Sequence, residues 1–277
     1  MADGARSWIA HEKQGLHGGG NSLILTVTYA GTRTETIFVK RNTDPARREA
    51  DRYAFLAERG FPVARLLSTV QRDGAEIVVL EFLPKIGIEA AAADLLLRLL
   101  ADLNTIDPFP ADVFTLPPGM PAAQFDAGVE QALRNAAEIE PIDPAAYFRR
   151  YQRIDFAGLP LALNHGEFGF QQLGWSSGRR LVFFDLETMG ARPRFTDIAA
   201  ILPGLAALTG RGERELFDTY LGGRPDPEAW RELRRTRAAM TFQSLPWLVR
   251  VAGRRHVVAA LRRLAGDLAA HGLAGNN

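Results

Sequence analysis

The side chains best suited to chemistry lie between Asn164 and Glu187. Asn164-His165-Gly166-Glu167 is followed by Phe168-Gly169-Phe170-Gln171-Gln172, and further on the apolar run Leu181-Val182-Phe183-Phe184 ends in Asp185-Leu186-Glu187. Read as a strand, the second run places Asp185 and Glu187 on one face, because residues two apart share a side. The loop before it carries a histidine, a carboxylate and a side-chain amide. Oxygen ligands of this kind suit magnesium, which is held by one or two carboxylates together with substrate phosphates. A second feature is Lys40. Of 33 basic residues only Lys13, Lys40 and Lys85 are lysine, so a lysine beside such chemistry stands out against an arginine background.

The elements that must position these groups fall into two halves. The first is β-rich, with strands expected over 8–14, 22–29, 36–41, 63–70 and 76–82 and glycine or turn residues between them. Asp44-Pro45 reads as the N-cap and first turn of a helix whose buried face is Ala50, Tyr53, Ala54 and Leu56, ended by Gly60. Leu83-Pro84-Lys85 breaks the pattern. Beyond it the chain is mostly helical: 89–103, then a five-proline loop over 107–121, then helices near 122–138 and 144–154. A β-rich island at about 160–187 and further helices complete it. The expected division is 1–83 and 84–277, an α+β chain with a five-stranded antiparallel sheet and one helix before a larger helical part.

Composition excludes several classes. The 277 residues are 47% hydrophobic and 23% charged with a net charge of +1, an ordinary globular balance that calls for neither nucleic acid nor an anionic membrane. There is no cysteine, hence no disulfide scaffold, thiolate metal site or cysteine nucleophile. No apolar run approaches the ~18–20 residues that span a bilayer. Met1 to Lys13 lacks the apolar core of a signal peptide, so the cytoplasm is the expected compartment.

In order and spacing these motifs resemble the aminoglycoside phosphotransferase and choline kinase family, relatives of the protein kinases. That family's H-G-D-x-x-x-x-N loop stands here as His165-Gly166-Glu167 with Gln172, and its I-D-W/F-E strand as Phe184-Asp185-Leu186-Glu187. Asp197-Ile198-Ala199 matches its D-L-A stretch. Gly18-Gly19-Gly20-Asn21-Ser22 resembles its nucleotide loop, Val39-Lys40 its phosphate lysine, Arg48-Glu49-Ala50 its R-E helix, and Val79-Leu80-Glu81-Phe82-Leu83 its hinge.

The resemblance implies a two-lobed protein-kinase-like fold and an ATP- or GTP-dependent, magnesium-dependent transfer of phosphate to a small-molecule hydroxyl. Lys40 would hold nucleotide phosphates, oriented by Glu49. Gly19, Gly20, Asn21 and Ser22 would cover those phosphates, and Glu81 and Phe82 would flank the base. Asp185 and Gln172 would hold magnesium, and Glu167 would take the hydroxyl proton. Asp197 would brace the loop around His165.

Two departures bear on activity. Glu167 replaces the family's aspartate and Gln172 its asparagine, each adding one methylene, a displacement on the order of 1 Å that can cost ~10²-fold in rate. They motivate the alternative of a pseudokinase-like nucleotide-binding or regulatory module. Residues 211–277 hold twelve arginines against seven carboxylates, which weighs against a polycationic aminoglycoside as acceptor. The acceptor, the choice of ATP or GTP and the oligomeric state stay open.

Overall fold

The structure, a computed structural model, describes residues 5–13, 22–29, 34–44, 48–84, 88–114, 122–155, 158–176, 178–251 and 254–268. Gly19, Gly20 and Asn21 lie outside these residues. Packing divides the chain into two compact units. One comprises Met1–Ile88, Phe109–Pro117 and Glu167–Met189; the other comprises Glu89–Pro108, Pro118–Gly166 and Gly190–Asn277. The units are therefore not separated by one cut in the chain.

The first unit is built on strands β1 (Ala5–Lys13), β2 (Ser22–Tyr29), β3 (Thr34–Asn42), β4 (Leu66–Arg72) and β5 (Ala75–Glu81), in the order β1-β2-β3-β5-β4 with antiparallel pairing throughout. Lys40 pairs with Ser22 on one side and Val78 on the other, and Asn42 pairs with Glu76. Alternation puts Lys40 and Asn42 on one face of β3.

Helix α1 (Glu49–Glu58) follows β3. It begins later than Asp44-Pro45 predicts. Its N-cap position is Arg48, in the left-handed region at φ 44°, and no side chain of that residue caps it. The capping acceptor comes instead from the sheet, where a Glu76 carboxylate oxygen accepts the Glu49 N–H at 3.0 Å. The buried face of α1 is Glu49, Ala50, Arg52, Tyr53 and Leu56, and Ala54 is exposed. Two charged residues thus take buried positions that hydropathy alone assigns to solvent. Gly60 at φ 71° ends the helix as expected, where a left-handed turn favours glycine.

Within the proline-rich loop the chain forms α3 (Ala111–Phe114), a turn of helix absent from the sequence expectation. It packs on α1 through Phe55 and Phe114, ring centroids 5.0 Å apart edge to face, and through an Arg48–Asp112 ion pair at 2.5 Å. The unit is completed by a hairpin of β7 (Leu173–Trp175) and β8 (Leu181–Phe183). Strand β8 is anchored to the segment after α1: Ala64 N–H donates to the Phe183 carbonyl and Phe183 N–H to that of Pro62, both at 2.9 Å.

The second unit holds α2 (Ala93–Asn104), α4 (Ala122–Ala137), α5 (Pro144–Gln152), α6 (Thr196–Thr209), α7 (Glu213–Tyr220), α8 (Pro227–Val251) and α9 (Arg254–Leu268). A short ladder joins β6 (Leu161–Asn164) to β9 (Gly190–Pro193). Val129, Leu133, Phe242, Leu245, Val257, Leu261 and Leu264 form one continuous apolar core between α4, α8 and α9. Among the described residues no helix is long and apolar enough to cross a membrane.

The hairpin packs tightly against the segment after β5. A Cβ added at Gly174 would lie 2.8 Å from Leu83 Cβ, closer than packed atoms allow. Gly174→Ala is expected to cost about 1–3 kcal/mol through overpacking, read as a lowered midpoint in thermal or urea unfolding.

Candidate active site

Lys40 projects from β3 into a cluster of carboxylates. Its Nζ lies 3.0 Å from Glu49 Oε2, 2.5 Å from Asp185 Oδ1 and 3.0 Å from Glu187 Oε2. The three acids come from α1 and from the turn after β8, so one ammonium joins the sheet, the helix and the hairpin. Burial works against the Lys40 charge, but Glu49, Asp185 and Glu187 outweigh it and hold the ammonium above its ordinary pKa. Burial drives the Glu49 carboxyl upward, and Lys40 only partly offsets this.

Glu49 is fully buried and its remaining contacts are equally fixed. Asn42 Nδ2 donates to Glu49 Oε2 at 2.9 Å and to Glu76 Oε2 at 3.2 Å. Neither Asn42 nor Glu76 stands out in the sequence. Their only signal is a polar residue at an inward position of each of two paired strands.

Asp185 and Glu187 do reach a common point, but not by strand alternation. Strand β8 ends at Phe183. Asp185 then adopts the left-handed conformation (φ 65°, ψ 54°), and Leu186–Thr188 form a tight 3-10 turn. Tyr53 Oη accepts the Asp185 N–H at 2.9 Å, and Glu49 Oε1 accepts the Leu186 N–H at 3.1 Å. Arg52 Nη1 donates to the carbonyls of Leu186 and Glu187, and Arg52 Nε to that of Val113. The sequence places Tyr53 on the buried face of this helix but assigns neither Tyr53 nor Arg52 a part in the site. The spacing 49, 52, 53 is the one signal that was available.

Gln172 ends the 3-10 turn Phe170–Gln172, immediately before β7. Its carbonyl accepts the Phe184 N–H at 3.1 Å, so the hairpin sets it beside the residue preceding Asp185. The Gln172 Oε1 atom is buried with no hydrogen-bond partner among the described residues. Glu167 is exposed. In the second unit Asp197 Oδ2 and Oδ1 accept the N–H groups of His165 and Gly166 at 2.6 and 2.9 Å, and burial raises the Asp197 pKa. Asp197 thus braces His165 and Gly166 from the start of α6.

At the end of β5, Glu81 Oε1 accepts the Arg65 N–H at 2.8 Å, and Phe82 is partly exposed. A surface cavity of about 550 Å³ lined by Tyr53, Phe61, Arg65, Glu81, Arg180 and Val182 does not include Lys40, Asp185 or Gln172. The point where the three carboxylates converge is taken by the Lys40 ammonium. Among the described residues no three His, Asp or Glu side chains form a ready metal cage.

This architecture has clear structural counterparts. An aminoglycoside-3'-phosphotransferase of type VIII aligns over 88% of this chain and 94% of its own, with 21% identity and a TM-score of 0.54. The chain has the fold of such kinases. A Plasmodium vivax ethanolamine kinase aligns over 94% of this chain and 81% of its own (14% identity, TM-score 0.59). The choline kinase LicA from Streptococcus pneumoniae aligns over 96% and 94% (15% identity, TM-score 0.58), and a LicA structure in complex with AMP aligns equally well, with a TM-score of 0.58. No protein-family model and no curated protein sequence matches the chain.

Removing the ammonium would leave Glu49 buried among like charges. Lys40→Met is expected to destabilise the protein by about 3 kcal/mol, since deleting one partner of a buried pair strands the other. Magnesium chloride should raise the melting temperature of this variant more than that of wild type, because a divalent cation can replace the lost charge.

Proposed function

We propose that the protein is a small-molecule kinase that transfers the γ-phosphate of ATP to a hydroxyl group. The observation that carries this reading is the meeting of Lys40, Glu49 and Asp185 from three separate elements. One ammonium faces three carboxylates, an excess of two negative charges that a divalent cation would balance, while nucleotide phosphates would take the ammonium. The fold shared with aminoglycoside, ethanolamine and choline kinases supports the same reading, and the AMP complex of LicA supports nucleotide use.

Lys40 holds the nucleotide phosphates, with Glu49 fixing its direction. Ser22, opposite Lys40 in the sheet, borders the phosphates together with Gly19, Gly20 and Asn21, and Glu81 and Phe82 border the base. Asp185 and Gln172 hold magnesium. Their chemistry fits the ion: Asp185 is 42% exposed and so open to a ligand, and the buried, unpartnered Gln172 Oε1 is a neutral oxygen in need of a donor or a cation. When bound, magnesium neutralises charge on the transferred phosphoryl group. Glu167 accepts the proton of the acceptor hydroxyl. Phosphoryl transfer of this kind needs positioning and charge compensation more than covalent participation by the protein.

The test is thermal unfolding with ATP or GTP, with and without magnesium, followed by phosphate transfer to a panel of hydroxyl compounds. A nucleotide at ~100 times its Kd adds ~2.7 kcal/mol. Asp185→Ala should lose the magnesium-dependent part of that shift. Glu167→Gln should keep nucleotide binding and lose ~10²–10⁴-fold in transfer. A wild type that binds nucleotide and phosphorylates nothing, with Glu167→Gln indistinguishable from it, would point to a nucleotide-binding module.

A further inference from the structure

Asp185 is one of four non-glycine residues with positive φ among the described residues, and the others, Arg48, Asp73 and Arg179, carry no role in the proposed chemistry. A non-glycine residue in this region is uncommon and is held there by its surroundings. Besides Lys40, which meets the Asp185 and Glu187 side chains, one face of α1 holds the backbone here. Four backbone groups of residues 185–187 are held by three side chains spaced i, i+3 and i+4. Tyr53 takes the Asp185 N–H, Glu49 the Leu186 N–H, and Arg52 the Leu186 and Glu187 carbonyls.

Arg52 is the unusual member. It is fully buried, and burying a guanidinium costs several kcal/mol against an apolar residue of similar volume. What the charge provides is a rigid planar fork that an ammonium does not reproduce. The fork reaches two carbonyls of the turn after Asp185 and, with Nε, the Val113 carbonyl of α3 at 3.0 Å. Tyr53 is likewise fully buried.

We propose that Arg52 and Tyr53 are positioning residues that hold Asp185 in its left-handed conformation and thereby set its affinity for a divalent cation. The inference rests on the reading of Asp185 as a metal ligand. Neither residue touches the reacting groups; they act through the backbone of residues 185–187. Helix α1 therefore carries two duties on one face. Glu49 orients Lys40, and Arg52 and Tyr53 orient Asp185, so a shift of this helix would alter the phosphate clamp and the metal ligand together.

Tyr53→Phe and Arg52→Lys test this in the full-length protein, with Tyr151→Phe as a matched control. Tyr151 also loses a hydroxyl hydrogen bond on substitution, its 2.7 Å bond to Asp126 in the other unit. The first measurement is the magnesium chloride concentration that gives half-maximal ATP binding by calorimetry. The second, with neither metal nor nucleotide, is amide deuterium uptake at Asp185 and Leu186.

Tyr53→Phe and Arg52→Lys should each raise the magnesium requirement about tenfold, the usual scale for residues that orient a metal ligand. Both should speed exchange at the two amides, and the control should change neither. If wild type binds ATP with magnesium and Tyr53→Phe does so at the same magnesium concentration, the inference fails and the kinase reading stands. If wild type shows no magnesium-dependent ATP binding, the metal-ligand reading fails and this inference with it. Should Arg52→Lys not fold, Tyr53→Phe decides the matter, since it leaves the ring in place.

Discussion

One ammonium group fixes the arrangement of the first unit. Lys40 is only 13% exposed, and Glu49, beside it, is fully buried. Neither charge is tolerable there alone, because the desolvation of each costs several kcal/mol. Once Glu49 must face β3, the rotation of α1 is set, and helical geometry then decides what residues 52 and 53 can reach. The turn after β8 is drawn to the same point by Asp185 and Glu187. Such a cluster contributes little net stability compared with an apolar core of equal volume. On the proposed reading, a surplus of negative charge next to a lysine is the electrostatic complement of a divalent cation and a polyphosphate taken together.

The strand pattern of the first unit was legible because alternation and turn residues mark it, and the observed strands lie within a few residues of their expected limits. The details that position the site were less legible. Asp44-Pro45 looks like a helix start, yet α1 begins at Glu49 and its cap is Glu76, 27 residues further on in β5. A cap supplied from another element leaves no local signature. Hydropathy alone would turn Glu49 and Arg52 to solvent, because it knows nothing of partners across the fold; Glu49 was marked only by the family resemblance, and Arg52 not at all. The common reach of Asp185 and Glu187 was anticipated for the wrong reason, since a left-handed residue and a 3-10 turn bring them together where a continued strand was expected. Positive φ at an aspartate is invisible to a pattern that expects glycine.

The basic excess of residues 211–277 shows a different limit. Many of its arginines are paired, although most of their partners are carboxylates of the same segment and leave the excess itself unchanged. Arg211 meets Asp94 and Glu215, Arg237 meets Glu213, and Arg234 meets the buried Asp267. Arg214 pairs with Asp218 and Arg231 with Glu228 along their own helices. Pairs of this kind align helices and solubilise their faces, and each exposed one contributes little. Net charge over a segment does not show which charges an acceptor would meet, so the weight it places against a polycationic substrate is small.

The two lengthened side chains of the loop are not equivalent. Gln172 is pinned through its carbonyl to Phe184, one residue before Asp185, so its Cα cannot retreat to make room for the extra methylene. If Gln172 holds magnesium as proposed, the longer amide would have to bring its oxygen to the ion largely by its own rotamer. Glu167 is exposed, and its added methylene extends a side chain not packed into the core. On the proposed roles, the added methylene thus weighs more at Gln172 than at the exposed Glu167.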